Sequence, residues 1–231
     1  MTPLECHAAV YDDCFAVALY QWGILSIVRR TDQRVRAAAA IGGLLVFGAM
    51  AYPVMRGDVI PFDLPVRAAI HGWAFPALTV AMRLITMLGS EYFLVPLALI
   101  LVWYWARLGE RKAAYLLVAG SLSAEAVAQL LKTLIHRPRP ELFFGLVPTE
   151  TYSFPSGHAF VPTVYFGILA GVLVAGPRWR AAVVVMAAFL GFSRVYLGYH
   201  YPSDVVAGWA LAVVWLALWA IIADRRTASA T

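Results

Sequence analysis

Residues 205–223 read VVAGWALAVVWLALWAIIA, nineteen consecutive residues without a charged side chain. A helix rises about 1.5 Å per residue and the hydrocarbon core of a bilayer is about 30 Å thick, so this stretch predicts a membrane-spanning helix. The residues just before it, Pro202, Ser203 and Asp204, are typical of a helix start. We therefore expect a transmembrane helix with Asp204 in its first turn.

The rest of the chain has the same apolar character. Of its 231 residues 62% are hydrophobic, well above the roughly 45–50% of soluble proteins. A soluble domain of this size could not bury so much apolar surface, which excludes a water-soluble protein. Five further spans are predicted, at 37–55, 92–106, 113–131, 159–177 and 181–198.

Two other apolar stretches, 14–28 and 66–88, do not suit a span. The first would be only about 22 Å long as a helix, and the second contains charged side chains and a proline. We predict that both are helices lying in the membrane interface. The expected fold is all-α: an integral-membrane, six-helix transmembrane bundle with extra interfacial helices. Residues 1–231 are expected to form a single domain, with 1–36 as an N-terminal interfacial or cytoplasmic segment.

The distribution of basic residues predicts the orientation of this bundle. Cytoplasmic segments of membrane proteins are enriched in Lys and Arg. With the N-terminus inside, the predicted cytoplasmic segments hold eleven of the 18 Lys and Arg residues: Arg29, Arg30, Arg34, Arg36, Arg107, Arg111, Lys112, Arg178, Arg180, Arg225 and Arg226. Both termini are therefore expected in the cytoplasm, and the remaining polar clusters at the outer face.

The first polar cluster closes the third predicted span, where residues 132–140 read KTLIHRPRP. Helical spacing predicts one stripe that carries Glu125, Gln129, Lys132 and His136. An interhelix hydrogen bond is the expected role of Glu125. Two prolines then end the helix and favour an extended exit that carries Arg139.

The second cluster, Pro155-Ser156-Gly157-His158, opens the fourth predicted span. Serine is a good N-cap residue, and glycine lets a ligand approach the backbone. Free amide groups at a helix N-terminus also form a ready site for phosphate.

The third cluster joins the last two spans as Ser193-Arg194, five residues, His200, three residues and Asp204. A carboxylate four residues after His200, in the first turn of the next helix, can reach one nitrogen of the imidazole. That contact would fix the tautomer and leave the other nitrogen free to attack.

All three clusters are expected at one face of the membrane, where unused ionisable groups are costly. Lys132, Arg139 and Arg194 supply positive charge for a tetrahedral anion. Two histidines in different surroundings, His158 and His200, can divide the nucleophile and acid roles. The carboxylate cluster of a magnesium-dependent phosphatase is missing from the sequence, so we expect chemistry without a metal or other cofactor.

These clusters closely resemble the signature of the type 2 phosphatidic acid phosphatase family, K-x6-RP, PSGH and SR-x5-H-x3-D. Every fixed position is matched, in order and with its internal spacing, over residues 132–204. The resemblance implies a bacterial plasma-membrane hydrolase whose site faces outward and whose partners are a lipid phosphate and the bilayer, with no nucleic acid. It implies His200 as nucleophile, Asp204 as its orienting group and His158 as general acid. The implied phosphate-binding residues are Lys132, Arg139, Ser156, Gly157 and Arg194.

The implied reaction is hydrolysis of a lipid phosphomonoester or diphosphate through a phosphohistidine. Undecaprenyl diphosphate, phosphatidylglycerophosphate and phosphatidate all fit the pocket chemistry. A lipid phosphotransferase would use the same covalent histidine and stays open. Vanadium-dependent haloperoxidases share the signature but are soluble, and a transporter would spread its charges through the membrane depth. The segment 66–88, with Trp73 and Phe75, is a candidate lateral gate for acyl chains.

Overall fold

The computed structural model describes residues 33–146, 151–173 and 177–228, and the regular secondary structure in these ranges is helical, without strands. In chain order the helices are α1 (Gln33–Met55), α2 (Asp63–Gly72), α3 (Pro76–Met87), α4 (Glu91–Arg107), α5 (Arg111–Ile135), α6 (Gly157–Leu173), α7 (Pro177–Tyr196) and α8 (Pro202–Ala228). The predicted all-α fold is confirmed for the described residues. The proposed helix at 14–28, with the rest of 1–32, lies outside them.

Among the described residues, four helical segments are long and apolar enough to cross a membrane: Gln33–Met55, Arg111–Ile135, Arg178–Tyr196 and Pro202–Ile222. A fifth candidate is the pair α3 and α4, which bends by 42° at its break. The remaining predicted span corresponds to α6, whose 17 residues make about 26 Å of helix. All six predicted spans thus coincide with helices, while four or five meet the criteria for crossing the bilayer.

The boundaries differ from prediction in two places. A single helix over 66–88 is wrong, because the chain breaks between α2 and α3. Phe75 is extended at φ −147° and ψ 159°, as expected for the residue before Pro76, which disfavours helical backbone. The predicted edges of 181–198 are also shifted, since α7 begins at Pro177 and ends at Tyr196.

Close helix packing brings α8 against both α1 and α6. Glycines make these approaches possible: a Cβ on Gly43 would lie 2.8 Å from the carbonyl oxygen of Ala210. A Cβ on Gly208 would lie 2.7 Å from the carbonyl oxygen of Ser156. Small residues at such crossings are the usual means of helix association in membranes. The second contact seats the start of α6 directly on α8.

Candidate active site

The three polar clusters lie at the same end of the helical bundle. The first is at the end of α5, the second at the start of α6, and the third runs from the end of α7 to the start of α8. Antiparallel connections therefore bring the clusters together. The backbone amide of Ser156 donates to the carbonyl oxygen of Asp204 at 3.0 Å, which joins the second cluster to the third.

His200 is the central side chain of the site and is only 1% exposed. Its Nδ1 lies 3.3 Å from Oδ2 of Asp204, and its Nε2 lies 3.3 Å from Nη1 of Arg139. A guanidinium can only donate and an ionised carboxylate can only accept. Nδ1 therefore carries the proton, and the lone pair of Nε2 points toward the cationic side of the site.

Asp204 is held rigidly at the first turn of α8. Its Oδ2 also accepts from the backbone amide of Tyr201 at 2.9 Å, the reach-back contact of a capping box. The predicted placement of Asp204 in the first turn is confirmed. Burial, together with the positive charges of Arg194 and Arg139, lowers the pKa of His200 well below its ordinary value. The imidazole is accordingly neutral, the form that a nucleophile requires.

Arg139 is fixed by several acceptors around its guanidinium. Its Nε and Nη2 donate to the carbonyl and hydroxyl oxygens of Thr151 at 2.8 and 2.7 Å, and its Nη1 donates to the carbonyl of Tyr199 at 2.9 Å. Burial lowers the pKa of Arg139, although the charge of Asp204 opposes this effect. The guanidinium is thus pre-positioned beside Nε2 of His200.

Arg194 is buried and held from two sides. Its Nη1 donates to the hydroxyl of Thr86 at 2.9 Å, and its guanidinium carbon lies 4.0 Å from the centre of the Tyr199 ring. Within the described residues its Nε has no hydrogen-bond partner, and neither does the buried Oγ of Ser156. Buried polar groups normally find partners. These two atoms are therefore available to phosphoryl oxygens.

Lys132 and Gly157 face each other across the site. Lys132 is 8% exposed, and a Cβ on Gly157 would lie 3.6 Å from its Nζ. His158 follows Gly157 and lies within electrostatic range of Lys132 and His200. The structure therefore brings together all eight residues that the sequence singled out: Lys132, Arg139, Ser156, Gly157, His158, Arg194, His200 and Asp204.

The sequence analysis missed several contributors to the site, three of which bear on Arg194 and Asp204. Thr86 comes from α3, Asp63 from α2, and Arg137 from the exit of α5. Arg137 was given no role in the first polar cluster, although its place two residues before Arg139 was a usable signal. Thr86 and Asp63 belong to the region 56–90, for which the signature gives no expectation.

The stripe on α5 also differs in detail from expectation. Nε2 of Gln129 donates to Oε1 of Glu125 at 2.5 Å, so the hydrogen bond of Glu125 lies within its own helix. The expected interhelix bond is not the one observed. Among the described residues, no three His, Cys, Asp or Glu side chains form a group that could hold a metal ion. Metal-independent chemistry stays a prediction.

The fold and site define a helical protein with membrane-spanning segments and a cationic cluster of side chains around two histidines. Residues 112–228 match the PAP2 superfamily, and the chain belongs to this family.

Its relatives include an undecaprenyl-diphosphatase of Sulfolobus acidocaldarius, 30% identical over 66% of this chain and 74% of the relative. Phosphatidylglycerophosphatase B of Bacillus subtilis is 32% identical over 60% of this chain and 72% of the relative. A lipid A 1-phosphatase of Rhizobium johnstonii is 39% identical, but the match spans only 43% of either chain.

Solved structures support the same assignment. The crystal structure of a transmembrane PAP2 type phosphatidylglycerolphosphate phosphatase from Bacillus subtilis aligns with a TM-score of 0.63 and 28% identity. That alignment covers 81% of this chain and 96% of the other. Aquifex aeolicus LpxE aligns with a TM-score of 0.58 and 25% identity, covering 72% and 96% of the two chains.

Proposed function

We propose that this protein hydrolyses a lipid phosphate ester or diphosphate through a phosphohistidine formed on Nε2 of His200. One observation carries the proposal: His200 is held between Asp204 at Nδ1 and Arg139 at Nε2. The first contact fixes the reactive tautomer. The second places a phosphate-binding cation beside the attacking atom.

In the first step, Nε2 of His200 attacks phosphorus, and the bond from phosphorus to the leaving oxygen breaks. His158 gives a proton to that oxygen, and the negative charge of a phosphate bound beside the ring would favour the protonated imidazole that this step requires. In the second step, His158 removes a proton from water, the water oxygen bonds to phosphorus, and the nitrogen–phosphorus bond breaks. Inorganic phosphate leaves and the enzyme is regenerated.

The positive groups would stabilise the charge that develops on the phosphoryl oxygens. Donors aimed at such charge commonly contribute about 3–4 kcal/mol each to lowering the barrier. The orphaned Oγ of Ser156 and Nε of Arg194 suit this role, as does the amide end of α6 at Gly157. Lys132 and Arg139 complete the proposed phosphate cradle.

The lipid class is proposed from the relatives and from the membrane setting. Those relatives act on undecaprenyl diphosphate, phosphatidylglycerophosphate or lipid A, as their names state. The test is a phosphate-release panel in detergent with these lipids and phosphatidate. Wild-type protein should release inorganic phosphate from at least one of them, and His200→Ala should release less than about 1% as much while eluting as folded protein.

A phosphotransferase is the alternative outcome of this panel. It would consume the lipid phosphate without releasing equivalent inorganic phosphate, and a phosphorylated acceptor lipid would accumulate. Residual turnover in His200→Ala above a few per cent would refute the nucleophile assignment.

We also propose six spans, with the site facing outward from a bacterial plasma membrane and both termini in the cytoplasm. The end of the bundle opposite the site carries the basic helix ends, including Arg107 at the end of α4 and Arg111 at the start of α5. That distribution agrees with the positive-inside rule. Labelling of single cysteines from either side of intact cells tests it: Asp58→Cys should react outside, and Gly109→Cys should react only after permeabilisation.

The role of Trp73 and Phe75 as a lateral gate also stays a proposal. Both side chains are more than half exposed at the break between α2 and α3. Thr86, farther along α3, contacts Arg194, so this segment connects the bilayer-facing surface with the phosphate site.

A further inference from the structure

A buried chain of charges leads from α2 to the site and is not explained by the phosphate-binding roles. Asp63 is 1% exposed and lies 140 positions before Ser203, outside the residues that match the family. Its Oδ2 accepts from Nη2 of Arg137 at 2.7 Å. Nη1 of Arg137 in turn donates to Oδ1 of Asp204 at 2.5 Å. This network of charges therefore ends at the carboxylate of Asp204, which contacts His200.

The two oxygens of Asp204 are divided between different tasks. Oδ2 serves Nδ1 of His200 and the amide of Tyr201, whereas Oδ1 is held by Arg137. Because Arg137 fixes Oδ1, the carboxylate cannot rotate away from the imidazole. Arg137 is packed against the ring of Tyr201, with its guanidinium carbon 4.1 Å from the ring centre.

Asp63 balances the charge that this clamp introduces. Burial lowers the pKa of Arg137, but Asp204 and Asp63 outweigh that effect and raise it above its ordinary value. Arg137 is therefore a permanent cation. Without Asp63, the positive charge of Arg137 would cancel the negative charge that Asp204 offers to His200. With Asp63, the three groups together keep one net negative charge.

Asp63 also anchors the helix that carries Asp204. Its Oδ1 accepts from the backbone amide of Ser203 at 2.9 Å, and its Oδ2 accepts from the Ser203 hydroxyl at 2.6 Å. Free amides in the first turn of a helix favour a carboxylate. A residue of α2 thus fixes the N-terminus of α8.

We propose that Asp63 and Arg137 are positioning residues that orient Asp204 and preserve its negative charge for His200. This inference builds on the proposed phosphohistidine chemistry. It adds two residues, one of them outside the signature motifs, that act on the reaction without touching the phosphate.

The electrostatic part of this role predicts opposite effects of charge at the two positions. The charged or titratable groups that surround His200 come from every neighbouring element: Asp63, Lys132, Arg137, Arg139, His158, Arg194, Tyr199 and Asp204. Asp63→Asn keeps the shape but leaves the charge of Arg137 uncompensated. It should lower the pKa of His200 further and weaken stabilisation of the positive charge that develops on the attacking imidazole.

The experiment compares Asp63→Asn with the double variant Asp63→Asn/Arg137→Gln and with the control Asp58→Asn. Asp58 is an exposed acid nearby that pairs with Arg56. Asp63→Asn should lower kcat by about 10- to 100-fold, by analogy with the hydrogen-bond partners that orient metal-ligating side chains. KM should stay within about twofold, because the phosphate-binding groups are untouched. Asp58→Asn should match wild type.

The pH profile separates a positioning role from a merely structural one. In Asp63→Asn the acidic limb of kcat/KM should move to lower pH by about half a unit, a shift that charge removal at short range can produce. The double variant restores the net charge, and its limb should return toward the wild-type position. Loss of folded protein alone would reduce the active fraction and leave both the limb and KM in place.

A readout that needs no turnover completes the test. The imidazole of His200 can be titrated by 15N NMR in detergent, which reports its tautomer and pKa directly. The inference is overturned if Asp63→Asn has the kcat and pH limb of Asp58→Asn, or if the His200 titration is unchanged. If wild type releases no phosphate from any lipid, the proposed function fails, while the NMR titration still decides whether Asp63 acts on His200. If Asp63→Asn does not fold, the double variant is compared with Arg137→Gln instead, because these two proteins also differ only at position 63.

Discussion

Replacing Asp204 by asparagine is the most informative single change at the site, because the structure fixes what the amide can do. Oδ1 faces Arg137 and Oδ2 faces two N–H donors, on Tyr201 and His200. An amide has one oxygen and one NH2 group. If the oxygen accepts from Arg137, the NH2 group meets Nδ1 and forces the proton of His200 to Nε2.

That tautomer cannot attack phosphorus, and its Nε2 proton would also face the N–H of Arg139. Turning the amide over restores the contact with His200 but points the NH2 group at the guanidinium of Arg137. Either orientation leaves two donors facing each other. The same substitution behind the histidine of a serine protease costs about 10⁴ in kcat. At about 1.36 kcal/mol per factor of ten, this corresponds to about 5 kcal/mol of lost transition-state stabilisation.

We therefore expect Asp204→Asn to lose about three to four orders of magnitude in kcat, with KM changed by less than about threefold. Phosphate release from the best lipid of the panel, measured on purified protein in detergent, gives both constants. Thermal unfolding of the same samples and of Asp58→Asn controls for folding. Retention of more than about 10% of wild-type kcat would refute the tautomer argument.

Four other outcomes follow from the same geometry. Thr86→Val removes the acceptor of Arg194 and should lower kcat/KM by about 10- to 100-fold, because a charged group loses a hydrogen bond worth about 1.5–3 kcal/mol. Thr133→Val is the control, because the exposed hydroxyl of Thr133 donates to the carbonyl of Leu130 within its own helix. Gly208→Ala places a Cβ 2.7 Å from the Ser156 carbonyl and should destabilise the protein by about 1–3 kcal/mol in thermal or denaturant unfolding, whereas Gly48→Ala, with open space around it, should not. Because the pKa of His200 is lowered, kcat/KM should stay near its plateau as pH falls through 6.5 and should decline only at lower pH. An acidic limb of the pH profile centred above pH 7 would contradict this. Phosphate release should be unchanged by EDTA, and a loss restored by added Mg²⁺ would show a metal requirement.

Much of the fold could be read from the sequence because the bilayer leaves few choices. An uncharged stretch such as 205–223 can satisfy its backbone only as a helix. The site was predictable for a related reason: Lys132, His158 and Arg194 lie at helix ends, and antiparallel helices bring alternate connections to one face.

The break between α2 and α3 and the bend before α4 were harder to foresee. Pro76 signalled the break, but the amphipathic pattern of 66–88 favoured a continuous helix. Asp63 could not be assigned from sequence, because its partners Arg137 and Ser203 are 74 and 140 positions away. Only the packing of α2 against the start of α8 brings them together.

The proposed mechanism transfers the phosphoryl group to Nε2 of His200, and trapping of this phosphohistidine would test that step. Wild-type protein is mixed with 32P-labelled lipid substrate, quenched in alkali within a single turnover, and digested for mass spectrometry. We expect an alkali-stable, acid-labile phosphate on the peptide that contains His200, and none in His200→Ala. Label on a different residue, or phosphate release at the full single-turnover rate without any labelled protein, would contradict it.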